Sequence, residues 1–388
     1  MFTIQTYNKI SDAGRRAFDE TKYTITEDTK NPDAIIVHST PLHDLEFAPS
    51  LRAIVRVGAG VNTIPVDRCT KAGIAVFNTP GGNANAVKEL TIAAMIMSCR
   101  NVQPASAWVN SLAGGESDPG KTVEKGKEVY RGTEIMGKTI GIIGVGAIGS
   151  RVAKACYDLG MTVIGYDPYL LNHRRDELKQ YVNFVSDVKE LYAAADFVSI
   201  HIPQNEANMN FLDADAIAAM KDGVYIVNYA RGGVVDNDAI VAALDAGKVK
   251  GYATDFPTVN ELGRKDVVCT PHLGAGTPQA DENCAIMASI QIKDYLEDGN
   301  IKNSVNFPDI SFARAGGDRI TLFHNNRVGM LGEITEKVTA AGLNIENLLN
   351  KGRGDYAYTI LDFNVEVPEA LIGDLEKIEG MVKVRLFK

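Results

Sequence analysis

Residues 139–149 have the sequence TIGIIGVGAIG, an apolar run followed directly by three glycines in the spacing Gly-x-Gly-x-x-Gly. The apolar part has the length of a buried β-strand, and the pattern after Gly149 is that of an amphipathic helix. Gly144 permits a tight turn, Gly146 lets a pyrophosphate approach the backbone, and Gly149 allows close helix packing. The N–H groups at the helix start can bind phosphate oxygens. The predicted dinucleotide turn comprises Gly144, Gly146, Ala147, Ile148 and Gly149.

An acidic residue follows the next predicted strand. Asp167 comes directly after Thr162–Tyr166, eighteen positions beyond Gly149. A carboxylate there can bond the ribose hydroxyls of an adenosine and repels a 2′-phosphate, so NAD is favoured over NADP. The alternative is a glycine-rich turn without a cofactor, which the combination of strand, helix and acid disfavours.

Strand-like runs alternate with helical patterns on both sides of this turn, which indicates parallel βα units. The runs before it are Phe2–Tyr7, Ala34–Val37, Ala53–Val57 and Ile74–Phe77, with a helix predicted over Ala84–Met97. The runs after it are Phe197–Ile202, Val224–Val227, Gly251–Thr254 and Val267–Cys269. Between Val109 and Gly132 the chain is polar and glycine-rich, which predicts a loop between domains. The helix after Gln279 is expected to return to the first domain.

The last seventy residues follow the order βαββαβ, which is typical of a ferredoxin-like domain. We therefore predict an α/β protein with two doubly wound parallel-sheet domains, a flavodoxin-like substrate domain and a Rossmann NAD domain, plus a C-terminal ferredoxin-like domain. The predicted bounds are 1–98 with 282–307 for the substrate domain, 99–281 for the NAD domain and 318–388 for the C-terminal domain, after a linker at Pro308–Gly317.

Composition excludes several other classes of protein. The 388 residues carry a net charge of −9 and no Lys/Arg run, which argues against a nucleic-acid partner. The five cysteines are scattered without metal-ligand spacing, so we predict no metal site and a reducing compartment. No apolar run reaches membrane-spanning length and no signal peptide is apparent, so we expect a cytoplasmic protein without a membrane partner.

Polar residues follow many of the predicted strands, at the sheet edge where ligands bind in doubly wound folds. Arg231 suits the carboxylate of a 2-hydroxy acid, because a guanidinium binds a carboxylate in bidentate fashion. His272 suits the role of base, since the pKa of histidine lies near neutrality, and a carboxylate on its other ring nitrogen would orient it.

This series resembles the D-isomer-specific 2-hydroxyacid dehydrogenase family over residues 1–305, through Gly144–Gly149, Asn228-x-x-Arg231-Gly232, Asp255 and Pro271-His272-Leu273-Gly274. The resemblance implies a catalytic set of Arg, Glu and His, which places Arg231 and His272 directly. The position at which the family carries its catalytic Glu is Asn260 in this sequence. Glu261 lies one residue further along, so it matches the family's Glu only if the loop contains a small insertion. Asp255 is implied to contact the nicotinamide amide. The remaining implied NAD contacts are His201, Ile202, Pro203, Asn228, Ala230, Arg231, His272 and Gly274; for His201 a plain strand-end role is the alternative.

The substrate loop implied by the resemblance follows the strand that ends at Arg56. It comprises Gly58, Ala59, Gly60, Val61 and Asn62, which would close over the substrate carboxylate and hydroxyl together with Arg231 and His272. Arg56 matches the position at which phosphoglycerate-oxidising members carry an Arg for the 3-phosphate. A surface ion pair is the alternative for Arg56.

The C-terminal domain resembles an ACT domain, a module that often binds amino acids where two copies pair. In serine-regulated members of the family it carries His-x-Asn and a later Asn, which here are His324, Asn326 and Asn344. The resemblance implies L-serine as a possible effector and a homodimer or homotetramer. A pairing domain without ligand is the alternative.

Together these features predict oxidation of 3-phospho-D-glycerate to 3-phosphohydroxypyruvate with NAD, the first step of L-serine biosynthesis. One alternative is another D-2-hydroxyacid dehydrogenase whose substrate lacks a phosphate. The other is a non-catalytic NAD-sensing protein of the same fold.

Overall fold

The computed structural model describes residues 1–8, 10–115, 118–314 and 316–388. The chain forms two compact units, one of Met1–Asn83 with Pro278–Lys388 and one of Ala84–Thr277. Within these described residues, no helix combines the length and apolar composition needed to cross a membrane.

The first unit contains a five-stranded parallel sheet with the strand order β2-β1-β3-β4-β5. Its strands are β1 (Phe2–Tyr7), β2 (Tyr23–Thr26), β3 (Ala34–Val37), β4 (Ala53–Arg56) and β5 (Ala75–Phe77), and its helices are α1 (Asp12–Arg15), α2 (Val66–Lys71) and α11 (Pro278–Asp298). Strand β2 is not predicted from the sequence pattern, because this edge strand alternates polar threonines with apolar residues over only four positions. Helix α11 packs on the sheet through Cys284, Ala285, Ala288 and Ile292, as expected for a returning helix.

The second unit contains a seven-stranded parallel sheet with the order β12-β11-β10-β9-β6-β7-β8. Its strands are β6 (Thr139–Ile143), β7 (Thr162–Tyr166), β8 (Asn183–Phe184), β9 (Phe197–Ile200), β10 (Val224–Asn228), β11 (Val249–Thr254) and β12 (Val267–Cys269). The helices are α3 (Ala84–Cys99), α4 (Val102–Ser111), α5 (Pro119–Gly126), α6 (Gly149–Asp158), α7 (Asn172–Leu178), α8 (Val188–Ala194), α9 (Ala214–Ala218) and α10 (Asn237–Asp245). The order turns back between β6 and β9, the type of position at which doubly wound sheets bind ligands.

Two predictions about this unit differ from the structure. Helix α3 was assigned to the substrate domain, but its Val87, Ala94, Met95 and Cys99 pack in the core of the seven-stranded sheet. The stretch 109–132 was predicted as a loop, yet most of its described residues are helical. Asp118 and Pro119 begin α5 as N-cap and first helical residue, so a signal interpreted as a turn is a helix start. Glu116 and Ser117 lie outside the described residues.

The C-terminal domain has the predicted βαββαβ order. Its elements are β13 (Arg319–Asn325), α12 (Met330–Ala340), β14 (Asn347–Arg353), β15 (Tyr356–Asp362), α13 (Glu369–Glu376) and β16 (Met381–Phe387), and the antiparallel sheet has the order β14-β15-β13-β16. Apolar residues of one face, among them Ile320 and Leu322, pack against α12 and α13. Phe323, Tyr358 and Ile360 on the other face join the core of the five-stranded sheet.

Residues of the predicted linker Pro308–Gly317 pack against and hydrogen-bond to the rest of the first unit. Ile310 is 1% exposed and pairs with Ile301 in an isolated antiparallel bridge. The Phe312 backbone N–H donates to Asn300 Oδ1 at 3.2 Å. Ala315 of this segment lies outside the described residues.

Candidate active site

The glycine turn after β6 has the geometry that its three glycines predict. Gly144 has φ +84°, and a Cβ there would lie 2.8 Å from the His201 carbonyl oxygen. A Cβ on Gly149 would overlap the Gly144 carbonyl oxygen, so α6 can begin this close to the sheet only with glycine. At Gly146 an added Cβ would meet no atom within 4 Å, which leaves open space above the turn.

The open turn presents hydrogen-bond donors that suit a pyrophosphate. In the described part of the chain, the backbone N–H groups of Gly146, Ala147 and Ile148 have no acceptor. They precede the first residue of α6, where the helix dipole also favours an anion. Open space and unpaired donors together fit the phosphates of NAD.

Asp167 stands at the end of β7 beside this turn. Its Oδ2 accepts a hydrogen bond from the Val145 N–H at 2.9 Å, and its Oδ1 accepts one from the Tyr169 N–H at 3.0 Å. The carboxylate is therefore fixed against the turn on which a dinucleotide would lie. This position fits the ribose contact that the sequence predicts.

The residues after β9 form one wall of the turn. An added Cβ on Gly144 would lie 2.8 Å from Ile202 Cγ2, and the Pro203 carbonyl accepts from Asn208 Nδ2 at 2.9 Å. His201 Nε2 lies 2.9 Å from Ser199 Oγ, and its Nδ1 is buried without a partner among the described residues. Burial lowers the pKa of His201 to about 3, so the ring is neutral at physiological pH.

Arg231 is positioned by a turn that Asn228 organises. Asn228, fully buried at the end of β10, donates from Nδ2 to the Arg231 carbonyl at 2.9 Å and accepts from the Ala230 N–H at 3.1 Å. The Arg231 guanidinium donates to the Ala230 carbonyl at 2.7 Å. No carboxylate of the described residues lies within 4.0 Å of it, which leaves the guanidinium open to an anionic ligand.

Phe256 brings the two main catalytic candidates together. The Arg231 guanidinium lies 6.0 Å from the centre of the Phe256 ring, and the His272 imidazole lies 4.7 Å from it. His272 is exposed and has φ +52°. Phe256 is not predictable as a site residue from sequence, because a lone aromatic after a strand carries no catalytic signal.

Asp255 is committed to the backbone of the loop that carries His272. Its side chain is buried, and its carboxylate accepts hydrogen bonds from the N–H groups of Leu273 and Gly274, both at 2.7 Å. The nicotinamide contact implied by resemblance therefore has little carboxylate surface available in this structure. Gly274 lies close to this carboxylate, since a Cβ there would be 3.2 Å from Asp255 Oδ2, a tight contact.

Glu261 does not hydrogen-bond His272 in this structure. It is 1% exposed, and its Oε2 accepts from the Thr258 N–H at 2.8 Å. Its Oε1 is buried without a partner among the described residues, and burial raises the pKa of the carboxyl group. The predicted pairing of acid and base thus needs a rearrangement of this side chain.

The substrate loop in the other unit is built around Arg56. The Arg56 Nε donates to the His38 carbonyl at 3.0 Å. Gly58 has φ +133°, and a Cβ there would overlap the Arg56 guanidinium. Its N–H donates to Thr79 Oγ1 at 2.7 Å. The guanidinium thus lies directly on the loop formed by Gly58, Ala59, Gly60, Val61 and Asn62, whose outer positions Ala59 and Asn62 are part of the surface.

The three effector candidates occupy different environments. His324 is buried, with Nδ1 2.9 Å from the Asn325 carbonyl and Nε2 2.8 Å from Thr359 Oγ1, so both ring nitrogens are engaged. Burial lowers the pKa of His324. Asn326 Nδ2 donates to the Gly354 carbonyl at 3.2 Å, and Asn344 is exposed. Among the described residues these three side chains form no hydrogen bond with one another.

Comparison with known proteins agrees with the fold and with the cofactor turn. The model of the D-isomer specific 2-hydroxyacid dehydrogenase NAD-binding domain matches residues 92–274. The D-3-phosphoglycerate dehydrogenase of Haemophilus influenzae is 32% identical over an alignment of 356 residues. The alignment covers 88% of this chain and 82% of that protein. The chain belongs to the D-isomer specific 2-hydroxyacid dehydrogenase family. It is an NAD-dependent D-2-hydroxyacid dehydrogenase.

The names of other similar proteins state different activities. The D-3-phosphoglycerate dehydrogenase of Methanocaldococcus jannaschii is 34% identical over 86% of this chain, which spans 62% of the length of that relative. The hydroxypyruvate reductase of Thermotoga maritima is 36% identical over 62% of this chain and 76% of its own length. A solved glyoxylate reductase from Paecilomyes thermophila has a TM-score of 0.64 at 26% identity, over 78% of this chain and 98% of that chain.

Proposed function

We propose that this dehydrogenase oxidises 3-phospho-D-glycerate to 3-phosphohydroxypyruvate, the first step of L-serine biosynthesis. The observation that carries the proposal is the Arg56 guanidinium, which lies on the glycine loop of the substrate domain. A second cation, Arg231, is the candidate for binding the substrate carboxylate. A substrate with a carboxylate and a phosphate matches two such guanidinium groups.

The chemistry follows from the residues around Phe256. Arg231 binds the carboxylate and so orients C2 of the substrate. His272 takes the proton of the C2 hydroxyl as general base, which its exposed position permits. The glycine turn would hold NAD, which would supply the acceptor for the hydride that leaves C2. Glu261, once turned towards His272, would stabilise the protonated imidazole, and its unpartnered Oε1 is the atom available for this contact.

The C-terminal domain supports a regulatory role in the same proposal. We place L-serine as an effector near Asn326 and Asn344, with His324 behind them, and expect two ACT domains to pair in a homodimer or homotetramer. Because both His324 nitrogens are engaged, the exposed Asn344 amide is the more accessible donor.

A second candidate is a D-2-hydroxyacid dehydrogenase that acts on an acid without phosphate, such as hydroxypyruvate or glyoxylate in the reductive direction. The similarity to the Thermotoga maritima hydroxypyruvate reductase supports it. The non-catalytic NAD-sensing alternative is disfavoured by membership in an enzyme family.

The test compares substrates and variants in one assay of NADH formation. The substrates are 3-phospho-D-glycerate, D-glycerate, D-lactate and 2-hydroxyglutarate, each with and without L-serine. For Arg56→Gln, kcat/KM for 3-phospho-D-glycerate should fall roughly 10- to 100-fold, the factor of a lost charge-assisted contact of about 1.5–3 kcal/mol. Gly58→Ala should act in the same direction, because the new methyl displaces the guanidinium.

Arg52→Gln is the matched control, since Arg52 precedes the same strand and pairs with Asp33 at 3.6 Å. It should leave both kinetic constants unchanged. Two results together would favour the candidate that acts on an acid without phosphate. The wild type would have the same kcat/KM for D-glycerate and 3-phospho-D-glycerate, and Arg56→Gln would leave kcat/KM for 3-phospho-D-glycerate unchanged.

A further inference from the structure

The loop that carries His272 is held by one buried carboxylate. Asp255, 2% exposed, accepts from Thr270 Oγ1 at 2.5 Å and from the Leu273 N–H at 2.7 Å on Oδ1. Its Oδ2 accepts from the Gly274 N–H at 2.7 Å. Its backbone carbonyl accepts from the His272 N–H at 3.0 Å. Asp255 therefore binds the backbone N–H groups of three consecutive residues, 272 to 274.

This arrangement depends on the unusual backbone of His272. Its φ of +52° lies in the left-handed region, which few non-glycine residues adopt. A left-handed residue directs the N–H groups that follow it towards one point, as in the backbone nests that bind anions. The carboxylate is the anion here, so the conformation and the hydrogen bonds stabilise each other.

We call the hydrogen bonds that Asp255 accepts from Thr270 and from residues 272–274 the clamp. The clamp extends to Tyr229, a residue of the turn that carries Arg231. Tyr229 OH lies 2.9 Å from Thr270 Oγ1. Since the single hydroxyl proton of Thr270 is donated to Asp255, Tyr229 must donate to Thr270. Burial raises the pKa of Tyr229 to about 12, so this donor keeps its proton at working pH. The result is a directed chain from Tyr229 through Thr270 to Asp255, which strengthens each bond.

We infer that Tyr229, Thr270 and Asp255 are positioning residues that hold His272 in its left-handed conformation and so place the imidazole beside Phe256 and Arg231. The inference rests on the proposed role of His272 as base. Without the clamp, His272 would relax to negative φ, and the imidazole would leave the Phe256 ring from which it now lies 4.7 Å. Because Tyr229 and Arg231 belong to the same turn, the clamp couples the position of the base to that of the carboxylate-binding cation.

The experiment removes hydroxyl groups without changing side-chain shape. Thr270→Val should lower kcat roughly 10- to 100-fold, the cost of misplacing a reacting group by about 1 Å. Tyr229→Phe, one bond further away, should lower kcat about two- to tenfold, in line with the loss of one hydrogen bond. In both variants the Kd for NADH and the Tm should stay near wild type. Thr270→Ser, which keeps the hydroxyl, should restore kcat.

Tyr225→Phe is the control for the tyrosine, because Tyr225 is about as buried as Tyr229 but is the second residue of β10, at the end of the strand away from Tyr229. It should not change kcat. The second readout is NMR of enzyme labelled at histidine Cε1, with the His272 signal assigned through His272→Asn. In the substrate-free enzyme this signal should move in Thr270→Val and Tyr229→Phe, but not in Thr270→Ser or Tyr225→Phe.

The kinetic comparison uses whichever D-2-hydroxy acid the wild type oxidises fastest. If the wild type does not oxidise 3-phospho-D-glycerate, the proposed substrate is wrong, but the role of the clamp can still be tested. Wild-type kcat and an unmoved His272 signal in both Thr270→Val and Tyr229→Phe would overturn the inference. A loss of kcat that Thr270→Ser does not restore would also overturn it.

Discussion

At the scale of single residues, His272 combines an exposed imidazole with a backbone conformation that most side chains avoid. An alanine at this position would change two things, because it removes the imidazole and also disfavours the left-handed backbone. Asparagine tolerates that backbone much better. The substitution His272→Asn therefore separates the chemistry of the side chain from the shape of the loop.

We expect His272→Asn to lower kcat about 10²- to 10⁴-fold, the usual contribution of a general base. The Kd for NADH, measured by fluorescence titration, should change far less than kcat, because the phosphates of NADH bind at the glycine turn. His272→Ala should show the same loss of kcat and in addition a lower Tm. If His272→Asn kept more than a tenth of wild-type turnover, another group would have to take the hydroxyl proton.

At the scale of elements, β9 is followed directly by His201, a partly buried histidine whose pKa is lowered by desolvation. The folded pKa of His201 is about 3, against 6.5 for an ordinary histidine. Below pH 6.5 the unfolded chain binds a proton at this residue that the folded chain does not bind. The contribution of neutral His201 is therefore fully present above pH 6.5 and is lost as the pH falls towards 3.

This linkage predicts the effect of His201→Gln on acid stability. The free energy of unfolding of the wild type should fall with decreasing pH more steeply than that of the variant, by at most about 1.4 kcal/mol per pH unit between pH 6 and 4. Urea unfolding at a series of pH values measures both slopes. His173→Gln, at an exposed histidine, should keep the wild-type slope. Identical slopes for wild type and His201→Gln would show that His201 titrates normally in the folded enzyme.

At the scale of the whole molecule, the C-terminal domain is part of the first unit rather than a tethered appendage. Arg319, fully buried, donates to Asp362 at 2.6 and 2.9 Å and to the Asp298 carbonyl at the end of α11 at 2.8 Å. Tyr358 OH donates to the Gly299 carbonyl at 2.7 Å, and Arg385 donates to the Gly73 carbonyl at 2.9 Å. These contacts surround an apolar core that both sheets share.

Arg319→Met tests this packing. It removes one partner of a buried ion pair and leaves the Asp362 carboxylate unpaired, which should lower the free energy of unfolding of this unit by about 3–5 kcal/mol. Circular dichroism follows the loss, and fluorescence of Trp108, the single tryptophan, follows the other unit as an internal reference. Lys377→Met, which breaks the exposed pair with Asp374, is the control and should change little. An unfolding curve of Arg319→Met that overlays the wild type would mean that the pair contributes nothing to this interface.

The sequence alone determined the parallel sheets, the βαββαβ domain and the glycine turn. Each of these depends on short-range features: the periodicity of apolar residues, the length of a strand, and positions such as Gly144 where only glycine fits the backbone. Local signals do not distinguish a turn from a helix start at Asp118 and Pro119, because both residues are equally good at either. Residue types at strand ends predicted Arg231 and His272 as candidates.

The tertiary structure decided which of these residues meet. Phe256 joins Arg231 to His272, and Tyr229 reaches Thr270 across 41 positions of sequence. The placement of Glu261, with Oε2 on the Thr258 N–H, depends on loop geometry that spacing does not specify. Arg385 and Gly73 are 312 positions apart, yet their contact fixes the C-terminal domain on the substrate sheet. Such long-range pairs leave no periodic trace in the sequence, because their geometry depends on how whole sheets pack rather than on any local pattern.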